Sequence, residues 1–328
     1  MSASEIELAV SLYSFTERFV ERDDYHVEQM VHTLQSWGVR CFELVGSQVF
    51  DHYPRPRAAE IDRVLSAAAA AGCEPFSYGG YVDWGRITGH TPTDADVVLD
   101  LTADLMTARD LGCSHLRAGN LPLGVLPLAA QLAENYDVSI GIEVHAPSKP
   151  SDPDIQELLA AFDTIGSPRL GFIPDFGCFI ERPAPPAIDR LLAMGARQDL
   201  IELVIAERHS GRTEDELWEE VRAQGGGDAE RAAIAEFFGF LSFGPADLEG
   251  FRTLLPRSLY FHSKFYHVDE DLIDRQIPIA ALLTDIVGSG FEGVLMSEYE
   301  GHAFHLDDAE EQVPRHLELE RRVLASLS

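Results

Sequence analysis

Basic residues are scarce in this chain. Its 328 residues include 25 lysines and arginines against 55 aspartates and glutamates, a formal net charge of −30 with histidine neutral. Such a balance repels phosphate backbones, whose binding depends on Lys and Arg neutralising phosphates, and it disfavours anionic membrane surfaces. Cysteine is scarce as well: Cys41, Cys73, Cys113 and Cys178 are scattered, with no CxxC pair. The first three fall where strands are expected to start, so they read as buried free thiols, and the compartment implied is the cytoplasm. No apolar run is long enough to span a bilayer. The opening MSASEIELAVSLYSF lacks a basic n-region and a long apolar stretch, so it does not resemble a secretory leader. No GxGxxG follows the first apolar run, which argues against a doubly wound dinucleotide fold.

What is present is ordinary for a soluble globular protein: 45% hydrophobic and 24% charged residues. A chain of this length buries about 75% of its unfolded surface. Short apolar runs alternate with amphipathic stretches. IELAVSLY, CFELVG, EPFSYGG, HLRAG, SIGIEVHA, RLGFIPDF, SLYFHSKF and GVLMSEYEG read as strands, each followed by a stretch at helical spacing, many of them ending in Gly. Eight βα units predict a (β/α)8 TIM barrel, with an open doubly wound sheet as the alternative. The reading is one domain over residues 1–328, with one abnormal connection. Ordinary αβ loops run about 2–6 residues, whereas residues 199–257 form a helical insertion between the sixth and seventh units. QGGGD within it reads as a flexible turn. Its Phe-rich EFFGFLSFG is expected to form a satellite core against the barrel; a subunit contact or a cap over the site is the functional alternative.

Reactive residues of TIM barrels sit at the C-terminal ends of strands. The fifth strand ends in GIEVHAP, where alternation puts Glu143 and His145 on one face. GFIPD ends in Asp175, LYFHSK supplies His262 and Lys264, and GVLMSE ends in Glu298. Three carboxylates converging on one pocket repel one another, so one must be protonated or a cation must lie between them. Glu143, Asp175, His262 and Glu298 suit a divalent metal, Mn2+ first and Mg2+ second; zinc is less favoured without cysteine ligands. Cys178 reads as a small core filler. His145 is not needed as a ligand and is expected to be the general base, or else to hold a ligand carboxylate in place. Lys264 and Arg117, the latter in HLRAGN, are candidates to orient substrate oxygens or to form barrel-mouth ion pairs. His267, Glu300, His302 and His305 read as solvated loop residues.

EVH, PDF, HSK and SEYEG at the ends of the last four strands resemble the xylose isomerase-like TIM barrels, a superfamily of sugar isomerases, keto-sugar epimerases, inosose dehydratases and endonucleases. The resemblance implies Glu143, Asp175, His262 and Glu298 as metal ligands. Many members carry a histidine a few residues after the sixth-strand Asp; here the text is DFGCF, which departs from the three-zinc endonuclease pattern. EVH, FHSKFYHV and the long insert resemble more closely the catalytic α subunits of bacterial C-glycoside deglycosidases. That resemblance implies a manganese-dependent lyase acting on 3-keto C-glycosides. The C2 proton is removed, the aglycone leaves from C1, and a smaller β-type subunit completes a hetero-oligomer. The alternatives are a divalent-metal keto-sugar isomerase or epimerase working through an enediolate, with Glu143 and Glu298 as paired bases, and a non-catalytic binding barrel.

Overall fold

Eight short strands run parallel: β1 (Glu7–Ser11), β2 (Cys41–Val45), β3 (Glu74–Gly79), β4 (His115–Ala118), β5 (Ser139–Val144), β6 (Leu170–Pro174), β7 (Phe261–Phe265) and β8 (Val294–Tyr299). Their order is β6-β5-β4-β3-β2-β1-β8-β7. The two ends of that row meet through the single bridges Phe172↔Ser258 and Asp175↔His262, so the sheet curls into a nearly closed (β/α)8 barrel. The computed structural model describes residues 6–80, 88–240 and 243–327. Residues 1–5, on which part of the leader reading rests, and Leu241 and Ser242 of the Phe-rich stretch lie outside them.

The strands are apolar on both faces because each is covered by helices outside and packed side chains inside. β2, β6, β7 and β8 are buried at every position. β1 is shorter than the apolar run IELAVSLY implies. Ser11 Oγ accepts the Tyr13 N–H at 3.4 Å and turns the chain into the 3-10 turn Leu12–Phe15. Covering helices include Ala58–Ala71, which turns Val64, Ala68 and Ala71 inward and stops where Gly72 takes the left-handed conformation, φ +66°. Asp94–Asp110 starts at Thr93, whose hydroxyl accepts the Asp96 N–H at 3.3 Å. Cys41, Cys73 and Cys113 are buried free thiols. Among the described residues, no helix is long and apolar enough to cross a membrane.

Between helix Pro185–Ala193 and β7 the chain runs through helices Gln198–Glu207, Glu214–Ala223, Asp228–Ala235 and Leu248–Leu254. Leu200, Val204, Leu217, Val221, Phe237, Phe243 and Phe251 from this stretch share one apolar cluster with Phe176, Phe179, Phe261 and Leu295 of the barrel. Phe251 packs edge-on against Phe179 and Phe261, with ring centroids 5.1 and 5.9 Å apart. Phe237 and Phe243 are core residues, so these parts of the Phe-rich stretch lie in the packing between insert and barrel.

Candidate metal centre

The C-terminal ends of β5, β6 and β8, together with β7, deliver the charged residues. Glu143 is the last residue but one of β5. Asp175 follows β6, where its Oδ1 accepts the Gly177 N–H at 2.6 Å and starts the turn Phe176–Phe179. His262 and Lys264 come from β7, and Glu298 from β8. Donor atoms of Glu143, Asp175, His262 and Glu298 all lie within 4.8 Å of one another. Opposite ligands of a small octahedral cation, with bonds of about 2.1 Å, are about 4.2 Å apart. A slight contraction of the four would therefore grip such an ion.

His262 is fully buried and faces two ways. Its Nε2 lies 3.2 Å from the Glu43 carboxylate. Its Nδ1 lies 2.7 Å from Glu143 Oε1, 3.4 Å from Glu298 Oε2 and 4.0 Å from Asp175 Oδ2. Without a cation both ring nitrogens face carboxylates and the protonated ring is favoured; with one bound, Nε2–H donated to Glu43 would leave the Nδ1 lone pair for the metal. This is the carboxylate–histidine arrangement that fixes the tautomer of a metal-binding imidazole. His262 and Asp175 are buried, and their Nδ1 and Oδ2 atoms have charged partners in Glu143 at 2.7 Å and Lys264 at 3.0 Å. These residues fit a divalent cation.

The electrostatics show what balances the cluster. Burial disfavours a charged His262, yet Glu298, Glu43 and Glu143 outweigh it and hold the imidazole well above its usual pKa. Burial pushes Asp175 up to about 6, against the pull of Lys264. Burial also opposes ionisation of Glu143 and Glu298. Arg117 overcomes it for Glu143, and His262 with Lys264 overcome it for Glu298, so both stay below the usual carboxylate range.

Arg117 and Lys264 are ion-paired and also line the cavity. Arg117 Nη1 is 2.9 Å from Glu143 Oε2, and its Nε is 3.1 Å from Glu43 Oε1. Lys264 Nζ is 3.0 Å from Asp175 Oδ2, 3.3 Å from Glu298 Oε2 and 2.8 Å from Glu300 Oε2. It also lies 2.9 Å from His145 Nε2. His145 stands just beyond β5 at the exposed rim. Its Nδ1 is 2.6 Å from the Ala146 carbonyl, so Nδ1–H donates there and the lone pair sits on Nε2. Tyr13, Arg117, Glu143, His145, Lys264 and Glu298 border a cavity of about 260 Å³.

Several residues at the site were not singled out from the sequence. Glu43, wholly buried in the middle of β2, accepts from Tyr260 Oη at 2.6 Å as well as from Arg117 and His262. The sign in CFELVG is a carboxylate inside an apolar run rather than at its end. Tyr13 carries no such sign, because tyrosine passes as an apolar strand residue. Glu300 and His302 are not the solvated loop residues their sequence suggests: their side chains are only 14% and 20% exposed and both reach Tyr13. His305 is exposed, as expected of a loop. Cys178 Sγ lies 3.1 Å from the Val144 carbonyl and takes no place in the cluster.

Comparison with known proteins agrees with this architecture. A profile described as "Xylose isomerase-like TIM barrel" matches residues 31–322. The 3'-dehydrocarminate deglycosidase alpha subunit of a Microbacterium species is 27% identical, over 98% of this chain and 96% of that protein. A C-glycoside deglycosidase alpha subunit of Arthrobacter globiformis is 28% identical, over 93% of this chain and 87% of that protein. Among solved structures, a D-psicose 3-epimerase in the presence of D-fructose superposes with a TM-score of 0.59 at 11% identity, over 97% of this chain and 99% of that one. A xylose isomerase-like protein from Mycobacterium smegmatis in complex with magnesium gives 0.57 at 11%, over 100% of both chains. At those identities the structures speak for the fold alone. With the profile spanning nearly the whole barrel, this chain belongs to the xylose isomerase-like TIM barrel family.

Proposed function

We propose that this protein is the catalytic subunit of a metal-dependent C-glycoside deglycosidase, a lyase that releases the aglycone from a 3-keto C-glycoside. The observation that carries the reading is one cavity bordered by His145 and by Glu143 and Glu298, two members of the four-donor cluster. The names of the deglycosidase relatives, aligned over nearly the full chain, supply the substrate class. Glu143, Asp175, His262 and Glu298 hold a divalent cation. The oxygen-rich donor set favours Mn2+, then Mg2+. The cation, when bound, supplies Lewis-acid stabilisation of negative charge developing on neighbouring substrate oxygens.

Substrate displaces the Lys264 ammonium from His145 Nε2, where it stands at 2.9 Å; Nε2 then removes the C2 proton, and the electron pair of that C–H bond enters the C3 carbonyl as an enolate. Collapse of the enolate forms C1=C2 and breaks the C1–aglycone bond. Glu143 and Glu298 are weaker bases because neighbouring cations hold their pKa values down, which favours His145 over the paired carboxylates of the epimerase reading. Lys264 and Arg117 orient substrate oxygens at the cavity wall. The alpha-subunit names of the relatives support a smaller partner subunit in a hetero-oligomer.

The test is aglycone release from a 3-keto C-glucoside by manganese-loaded protein, with and without a candidate small subunit. Release should vanish with chelator and fall by about 10²–10⁴ in His145→Ala. No release from metal-loaded protein under either condition, with interconversion of free keto-sugars instead, would replace the lyase by an isomerase or epimerase.

A further inference from the structure

The lyase reading leaves one proton unaccounted for: the departing aromatic carbon must receive one. In the circular strand order β1 and β5 stand four positions apart, on opposite sides of the barrel. His145 follows β5 and Tyr13 follows β1, so they border the same cavity from opposite walls. Tyr13 is held in place by its turn, through Ser11 Oγ on its N–H and Thr16 Oγ1 on its carbonyl at 2.6 Å. Its hydroxyl donates to Glu300 Oε1 at 3.3 Å and lies 3.1 Å from His302 Nε2. Glu300 is in turn anchored by Lys264 Nζ at 2.8 Å. The His302 ring stands edge-on to Tyr13 at 4.8 Å, and its partial exposure connects it to solvent.

We propose, on the basis of that lyase reading, that Tyr13 donates the proton to the departing aglycone carbon and that His302 restores it. As the C1–C(aglycone) bond breaks, its electron pair passes to the aglycone carbon, which takes the Tyr13 hydroxyl proton. The phenolate then takes the Nε2 proton of His302, and solvent reprotonates His302. The C2 proton on His145 returns to solvent, so the enzyme ends as it began and no oxidant or reductant enters. Burial beside Glu300 raises the phenol pKa, so the hydroxyl carries its proton at neutral pH. Glu300 keeps the phenol aligned until substrate takes its place.

Two readouts on one substrate test this. Tyr13→Phe keeps the ring against His302 and removes the proton. On a 3-keto C-glucoside in deuterium oxide, deuterium incorporation at C2 should stay within about threefold of wild type, while aglycone release falls by about 10²-fold or more. Release of 4-nitrophenolate from the matching 3-keto O-glucoside, a leaving group that needs no proton, should fall by less than about fivefold. His302→Gln should slow release of the carbon aglycone while sparing exchange. Undiminished release in Tyr13→Phe, or equal loss of exchange and release in either variant, overturns the proposal and leaves the lyase reading standing. Absence of both exchange and release in metal-loaded wild type removes the lyase reading, and this proposal with it.

Discussion

Replacement of Glu43 by alanine should weaken both the barrel and its hold on metal. Glu43 is fully buried. Burial alone would raise its pKa, but Arg117 and His262 outweigh burial and keep it below the usual range, so it is an anion. The change strips an acceptor from the Tyr260 hydroxyl, from Arg117 Nε and from His262 Nε2–H. A buried donor left unpaired costs about 1–3 kcal/mol, and a buried charge deprived of its partner costs about 3–5 kcal/mol. Arg117 keeps Glu143, so the lower part of the second range applies, and such losses in one network do not add. A total of about 4 kcal/mol follows. At about 2.1 cal/mol/K per residue the unfolding entropy of this chain is about 0.7 kcal/mol/K, which converts the loss to roughly 6 K in Tm. Manganese affinity should drop about 10–100-fold, because His262 loses the partner that fixes its tautomer. Glu43→Gln keeps one acceptor oxygen and should fall between. Calorimetry and a manganese titration followed by electron paramagnetic resonance read the two effects. A Glu43→Ala protein melting within about 1 K of wild type, with affinity unchanged within about twofold, would refute this role.

Two further outcomes follow from the packing. Glu320 is buried, and burial raises its pKa to about 8 against the opposing pull of the Ser263 hydroxyl. Folding therefore favours its protonated form: the contribution is complete below the unfolded value of about 4.3 and is lost as pH climbs to about 8. Its neighbour His316, pushed down to about 3 by burial, acts in the opposite sense, losing stability as pH falls below about 6.5. Chemical denaturation between pH 6.5 and 9 should thus show wild type losing roughly 2 kcal/mol that Glu320→Gln retains, by the 1.36 kcal/mol carried per pKa unit over the interval up to about 8; parallel pH profiles for the two proteins would contradict this. Phe251→Ala should cost about 3–5 kcal/mol in one cooperative transition, since its ring joins insert and barrel. A loss under about 1 kcal/mol, or a separate melting step for the insert, would show that the helices are not part of the barrel core.

The barrel and the four converging donors were legible because both rest on short-range patterns. Parallel strands buried on both faces appear as apolar runs, and a charged residue that ends such a run stands out, as Glu143, Asp175, His262 and Glu298 do. Glu43 lies inside CFELVG, followed by Leu44 and Val45, so a rule that picks out the ends of apolar runs passes over it. Tyr13, Glu300 and His302 were not readable. Nearly three hundred positions separate Tyr13 from its two partners, and only closure of β1 against β8 brings them together. The ends of β1 were obscured by a turn whose signal is a single serine, Ser11, within an apolar run. The pairing of Lys264 with His145 joins β7 to the chain beyond β5 and depends on the bridge between β6 and β7 that completes the barrel.

The most direct measurement is transfer of solvent deuterium to C2 of a 3-keto C-glucoside, followed by proton magnetic resonance. Loss of the C2–H signal with manganese-loaded wild type, and its persistence with chelated protein and with His145→Ala, is the predicted result. Exchange that continues undiminished in His145→Ala, or that needs no metal, would contradict an account in which Glu143, Asp175, His262 and Glu298 hold the cation and His145 takes the proton.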